Sequence, residues 1–128
     1  MNTELTMLVY SVILTFLVIS VPAMAGILQN GLATQAGNRD GLPEATVFAQ
    51  RARRLQDNMV ENMVLFVPLV LAAQAAGVSD AQTAMGAQLF FYARVVHAGI
   101  YLVGIPWLRT LAWAAALVGM LMIAGALV

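Results

Sequence analysis

Seven polar side chains of this 128-residue chain fall on two narrow stripes, each inside a segment that is otherwise rich in apolar residues. At about 100° per residue of a helix, the first stripe covers about 80° and the second about 60°. The first stripe is Arg51, Arg54, Asn58 and Glu61, and the second is Arg94, His97 and Tyr101. A charged side chain at the centre of a bilayer costs roughly 2.5–3.5 kcal/mol on insertion scales. Such residues are found where they face the interior of a helix bundle, pair with another polar group or have a function. The stripes are therefore interpreted as the walls of one polar site.

The types of residue present limit the chemistry of such a site. All six basic residues are arginine, which can grip a carboxylate or a phosphate with two parallel hydrogen bonds, whereas lysine is a point charge on a flexible stem. The chain has no cysteine and a single histidine, so a metal site is not expected and any thiol chemistry would use the sulfur of a substrate. The formal net charge is zero, which gives no overall basic field to attract nucleic acid.

Two other interpretations of the stripes stay open at this point. Arg54 or Arg94 could form an internal ion pair with Glu61 that only fixes helix packing, and His97 could be a hydrogen-bonded packing residue. A small channel is the least favoured alternative, because the polar residues cluster near one face of the membrane and residues 63–71 are almost wholly apolar.

The elements that must position these residues are predicted from composition and hydropathy. The chain is 62% hydrophobic and 9% charged, whereas an ordinary soluble domain carries about 25% charged residues. A helix needs about 20 apolar residues to cross a bilayer, and we predict four such helices over residues 5–28, 46–76, 81–103 and 107–127. Residues 29–48 are predicted to be a polar loop. The sequence therefore predicts an all-α membrane protein, a four-transmembrane-helix bundle that forms one domain over residues 1–128.

The distribution of arginine predicts the orientation of this bundle. Arg39, Arg109 and the cluster at residues 51–54 fall on the side of the first and third loops, and the opposite side carries Glu4 and Asp80 with no arginine. Because loops rich in Lys and Arg stay in the cytoplasm, we expect the termini outside and the polar site facing the cytoplasm.

Three sequence elements resemble the MAPEG family, the membrane-associated proteins of eicosanoid and glutathione metabolism. The run RARRLQDNMVE at residues 51–61, followed by Pro68, resembles the second helix of that family. The run RVVHAGIY at residues 94–101 resembles the third helix, and Arg109-Thr110 resembles the start of the fourth. The resemblance covers roughly residues 45–125, and the combination of the three elements in this order and spacing is fairly specific.

The resemblance implies a homotrimer that binds glutathione as a co-substrate, in a cytoplasm-facing cleft between subunits, together with a lipophilic second substrate. By position, Arg54, Asn58 and Glu61 would hold glutathione from the second helix. Arg94, His97 and Tyr101 would contribute from the third helix of the neighbouring subunit. Arg51 would help at the mouth of the cleft, Arg109 would stabilise the glutathione thiolate, and Thr110 would assist Arg109.

Three positions depart from the family's glutathione-using enzymes. Asp57 stands where some members have a basic residue, Asn62 replaces an aromatic residue, and Trp113 replaces a tyrosine, so that no acid is available there. These departures speak against prostaglandin or leukotriene synthesis. The chain resembles the short bacterial members of the family, and we expect it in a bacterial inner membrane. The expected function is a glutathione-dependent transferase or peroxidase. The alternative is a non-catalytic lipid-binding or structural membrane subunit of the same fold.

Overall fold

The computed structural model describes all 128 residues and is built entirely of helices, which confirms the predicted all-α class. The helices are α1 (Thr3–Asn30), α2 (Leu32–Ala36), α3 (Val47–Ala75), α4 (Ala81–Val103) and α5 (Pro106–Leu127). The prediction of a continuous loop over residues 29–48 is wrong, because α2 lies within it. This helix has only five residues between Gly31 and Gly37, and so short an element leaves no periodic pattern in the sequence.

Three of the four long helices have the length and apolar composition needed to cross a membrane. These are α1, α3 and α5, with mean hydropathies of 2.3, 1.4 and 2.0. Helix α4 is not among them, so the fourth membrane span stays a prediction. The polar residues that lower the hydropathy of α4 include Thr83, Arg94 and His97, and all three are buried within the bundle. The outward surface of α4 is therefore more apolar than its sequence as a whole.

Side-chain caps mark where α1, α3 and α4 begin. The Asn2 side chain accepts a hydrogen bond from the backbone N–H of Leu5 at 3.0 Å, so that α1 begins two residues before the predicted start at residue 5. At the start of α4, Asp80 and Thr83 form a reciprocal capping box. Helix α4 ends at Gly104, whose positive φ of 91° turns the chain into α5. These ends set the vertical register of the helices that carry the polar residues.

Helices α4 and α5 approach each other through two glycines. A methyl group built on Gly119 would lie 2.5 Å from the backbone oxygen of Gly86, and one built on Gly86 would lie 2.6 Å from that of Gly119. Small residues at such a crossing let two membrane helices pack backbone against backbone. This contact holds α5, and with it Arg109, against α4.

We expect Gly119→Ala to lower the free energy of unfolding by roughly 1–3 kcal/mol, because the added methyl group must push two backbones apart. Gly99→Ala is the matched control, since a methyl group at Gly99 meets no atom within 4 Å. That control should be neutral or slightly stabilising, as alanine forms helix better than glycine. Thermal unfolding in mild detergent measures both variants, and equal stabilities would contradict the close glycine contact.

Candidate functional site

A polar cavity of about 280 Å³ opens between α3, α4 and the first turns of α5. Its lining residues are Asn58, His97, Tyr101, Arg109, Thr110 and Trp113. Five of these six residues belong to the nine-residue site predicted from the sequence. The two polar stripes therefore meet at this cavity, but only in part.

Arg109 and Tyr101 form the outer part of the cavity. The Arg109 Cζ atom lies 5.0 Å from the centroid of the Tyr101 ring, a distance at which the cation is attracted to the ring face. The His97 ring also neighbours Tyr101, and the centroids of the two rings are 5.5 Å apart. Pro106 at the first position of α5 suits the start of a helix and places Arg109 one turn into it. The cavity thus presents a half-buried guanidinium group next to aromatic rings.

Arg94 lies behind the cavity with a side chain that is 0% exposed. Its Nη1 atom donates to Asn58 Oδ1 at 2.9 Å, and its Nε atom donates to Met59 Sδ at 3.3 Å. Its hydrogen bonds thus go to neutral acceptors and not to Glu61, which is exposed on the outside of α3. The structure therefore does not contain the internal Arg94–Glu61 pair that the sequence left open.

Two buried nitrogen atoms at this site have no hydrogen-bond partner. They are Nη2 of Arg94 and Nδ1 of His97, whose side chain is only 2% exposed. Most buried polar atoms in proteins are paired, and leaving one unpaired costs about 1–3 kcal/mol. Because His97 lines the cavity, a ligand with polar atoms in the cavity could supply the missing partner. The unpaired atoms therefore fit a polar ligand better than a merely structural cluster.

Besides Arg94, three of the predicted site residues lie outside the cavity of their own chain. Arg51 packs against the end of α4, where a methyl group built on Gly104 would lie 2.9 Å from the Arg51 Cζ atom. Arg54 and Glu61 are exposed on the outer face of α3. Asn58 turns inward toward α4, whereas Arg54 and Glu61 point away, although all three share one broad helical face. A single chain therefore supplies only part of the predicted site.

The sequence reasoning did not assign two residues to this site. Trp113 lines the cavity, and Met59 accepts a hydrogen bond from Arg94. Trp113 follows Arg109 by four residues, which places both on one face of a helix, and this spacing could have linked them. Nothing in the sequence marks Met59, because methionine is ordinary apolar filler in such a chain.

An apolar groove of about 440 Å³ runs between the same two helices, α3 and α5, further along the bundle. It is lined by Val64, Leu65, Pro68, Leu69, Ala72, Leu117, Met120, Leu121 and Ala124. On α3 the groove begins six residues after Asn58, which is about 9 Å along the helix axis. We refer to it as the α3–α5 groove. Helices α3 and α5 thus line both the polar cavity, which α4 also lines, and the α3–α5 groove.

No group of three metal-ligating side chains comes together anywhere in the chain. The polar groups of the cavity are instead arginine, histidine, hydroxyl and amide side chains, which suit an anionic organic ligand.

A helical bundle with membrane-spanning helices and a cavity lined by arginine near one end defines a class of small integral membrane proteins. Residues 5–128 match the MAPEG family, which is nearly the whole chain, and this chain belongs to that family. The resemblance inferred from the three sequence elements is thereby confirmed. The family includes glutathione-dependent transferases and peroxidases, and its members typically bind glutathione and form trimers. The chain matches no curated protein and no solved structure.

Proposed function

We propose that this protein is a membrane-bound, glutathione-dependent transferase or peroxidase that acts on lipophilic electrophiles or lipid peroxides. The observation that carries the proposal is the polar cavity, where Arg109 faces the Tyr101 ring and a buried histidine nitrogen lacks a partner. A free thiol has a pKa near ~8.5, and a close cation lowers it. Arg109 is the cation that would hold the glutathione sulfur as a thiolate, with the Thr110 hydroxyl beside it.

The charges of glutathione fit the residues proposed to hold it. The tripeptide carries two carboxylates and one ammonium group; arginine grips carboxylates, and a glutamate pairs with an ammonium. Arg54 and Glu61 are exposed on α3, outside the cavity of their own chain. We infer a homotrimer in which these two residues complete the cavity of the neighbouring subunit, formed around His97 and Tyr101, while Arg51 lies near the mouth.

The proposed reactions use glutathione and the second substrate alone. In the transfer, the thiolate sulfur bonds to an electrophilic carbon, and the displaced group leaves with the bonding electrons. In the reduction, the thiolate sulfur bonds to the terminal oxygen of the peroxide and becomes glutathione sulfenic acid. The oxygen–oxygen bond breaks, and the alkoxide that leaves takes a proton from water to become an alcohol. A second glutathione thiol then converts the sulfenic acid to glutathione disulfide and water. Holding both substrates in one cleft adds the benefit of proximity.

We further propose that the protein lies in a bacterial inner membrane with four spans, including α4. The excess of arginine at this end of the bundle supports a cytoplasmic position for the cavity, because loops rich in Lys and Arg tend to stay in the cytoplasm. Glutathione would then reach the cavity from the cytoplasm, and the lipophilic substrate would reach it from the bilayer.

The proposal is tested by titrating glutathione into the full chain in nanodiscs and following the ultraviolet absorbance of the thiolate. We expect a thiolate signal near neutral pH that saturates with glutathione. S-methylglutathione, which has no free thiol, should compete for the site and produce no signal. Absence of binding by either compound at millimolar concentration would instead favour the non-catalytic lipid-binding or structural subunit.

A further inference from the structure

A second polar cavity lies between α1, α2 and α3 and shares no residue with the proposed glutathione site. Its volume is about 420 Å³, and a smaller cavity of about 210 Å³ adjoins it. The two cavities have Pro22, Gln35, Arg39 and Arg53 in common. We call them together the α1–α3 cavity. It lies at the same end of the bundle as the glutathione site, where α1 ends and α3 begins.

Two arginines give this cavity its charge. Neither Asp nor Glu lines any part of it, so no carboxylate neutralises Arg39 or Arg53 there. Arg39 donates one hydrogen bond, from Nε to the backbone oxygen of Gln35 at 2.6 Å, which leaves its two terminal nitrogens to bind a ligand. Guanidinium groups arranged in this way suit a phosphate.

The backbone at Arg39 is itself unusual. Arg39 has a φ of 64°, and it is the one residue other than glycine with a positive φ in this chain. A residue with a side chain is strained in this backbone conformation. Such strain persists only where the surrounding structure holds the residue in place, and it is common at ligand sites. In this conformation Arg39 lines both parts of the cavity together with Arg53.

Apart from the two arginines and the amide side chains of Gln29, Asn30, Gln35 and Gln56, the side chains that line the cavity are mainly apolar. Ile19, Ala23 and Ile27 of α1 form one side, and Leu32 and Ala36 of α2 extend it. From Ile19 to Ile27 the wall runs about 12 Å along the helix axis. A free phosphate ion would leave this wall uncovered, whereas a lipid acyl chain would cover it. The charge and the wall together thus match a ligand with a phosphate head and a hydrocarbon tail.

We propose that the α1–α3 cavity binds an anionic phospholipid, with its phosphate between Arg39 and Arg53 and one acyl chain along α1. Basic pockets between membrane helices at the cytoplasmic surface are a known way of binding such headgroups. The bound lipid links α1, α2 and the start of α3. The site is independent of glutathione chemistry, because none of its residues lines the other cavity.

The test measures lipid retention on the full chain. The protein is reconstituted in nanodiscs of phosphatidylcholine with phosphatidylglycerol, extracted in a non-ionic detergent, and examined by native mass spectrometry for bound phosphatidylglycerol. We expect preferential retention of phosphatidylglycerol, which falls ~5-fold in Arg39→Gln and in Arg53→Gln, and ~25-fold in the double variant. Ala23→Phe should also lower retention, because it fills the apolar part of the cavity without changing any charge.

The matched control is Arg54→Gln, which removes the same charge from the next position of α3 and lines neither part of the cavity. Its lipid retention should equal that of the unmodified protein, and thermal unfolding of every variant verifies that it is folded. An equal loss in Arg54→Gln would overturn the proposal in favour of general surface charge. Displacement of the lipid by millimolar inorganic phosphate would overturn it in favour of a simple phosphate site, and unchanged retention in the double variant would exclude the cavity altogether.

Discussion

Arg109→Leu is expected to lower kcat/KM for glutathione conjugation about 10²–10³-fold, the loss typical of removing one preorganised group that stabilises developing or transferred charge. Arg109 is the only cation among the residues that line the polar cavity. Without it, the pKa of the bound glutathione thiol should return toward ~8.5, and little thiolate would be present at neutral pH.

The pH dependence distinguishes this role from a loss of packing. In the unmodified protein the thiolate forms below pH ~8.5, so the difference between the two proteins should be largest near neutrality and should shrink as the pH rises above that value. Arg109→Lys keeps the charge and should recover part of the rate and of the thiolate absorbance. An Arg109→Leu variant with unchanged absorbance and unchanged kcat/KM would remove Arg109 from the mechanism.

The second large effect concerns the buried guanidinium group of Arg94. Asn58→Leu should lower the free energy of unfolding by about 3–5 kcal/mol, because it leaves a wholly buried charge without its oxygen acceptor. In this variant, Arg94 keeps only one of its two side-chain hydrogen bonds, the one to Met59 Sδ, and sulfur is a weak acceptor. Urea unfolding in mild detergent measures the loss.

A double-mutant cycle isolates the pair. Removing both polar partners in the double variant Asn58→Leu, Arg94→Met should restore much of the stability. Two apolar side chains of similar shape can pack together without leaving a buried polar group unpaired. Asn58→Asp should retain the bond and add an opposite charge. A double variant as unstable as Asn58→Leu alone would show that the loss comes from shape rather than from the unpaired guanidinium.

Much of the fold follows from the sequence, because long apolar runs and capping residues are local signals. The prediction for the first helix was 5–28 against the observed Thr3–Asn30, and the third was 81–103 against Ala81–Val103. Helix α2 was missed, since five residues between glycines carry no periodicity. The trimer and the fourth membrane span remain predictions.

The candidate site was predictable in part, and the reason is geometric. Helical periodicity shows that Arg54, Asn58 and Glu61 share a broad face, but it does not show which edge of that face meets another helix. Asn58 meets Arg94 of α4, while Arg54 and Glu61 stay exposed. The inward direction of Arg94 and His97 was expected. Trp113 shares a helix face with Arg109, but the sequence alone does not show that this face meets the cavity.

The α3–α5 groove has a consequence for how any lipophilic substrate would be measured. The groove contributes almost only apolar side chains, and it lies between helices of which both are apolar enough to cross a membrane. A substrate that enters through this groove diffuses in the plane of the bilayer. How often it meets the protein therefore depends on its mole fraction in the surrounding lipid. Added phospholipid then dilutes the substrate even when its total amount is constant. Rate constants for such a reaction are properties of the protein and its bilayer together.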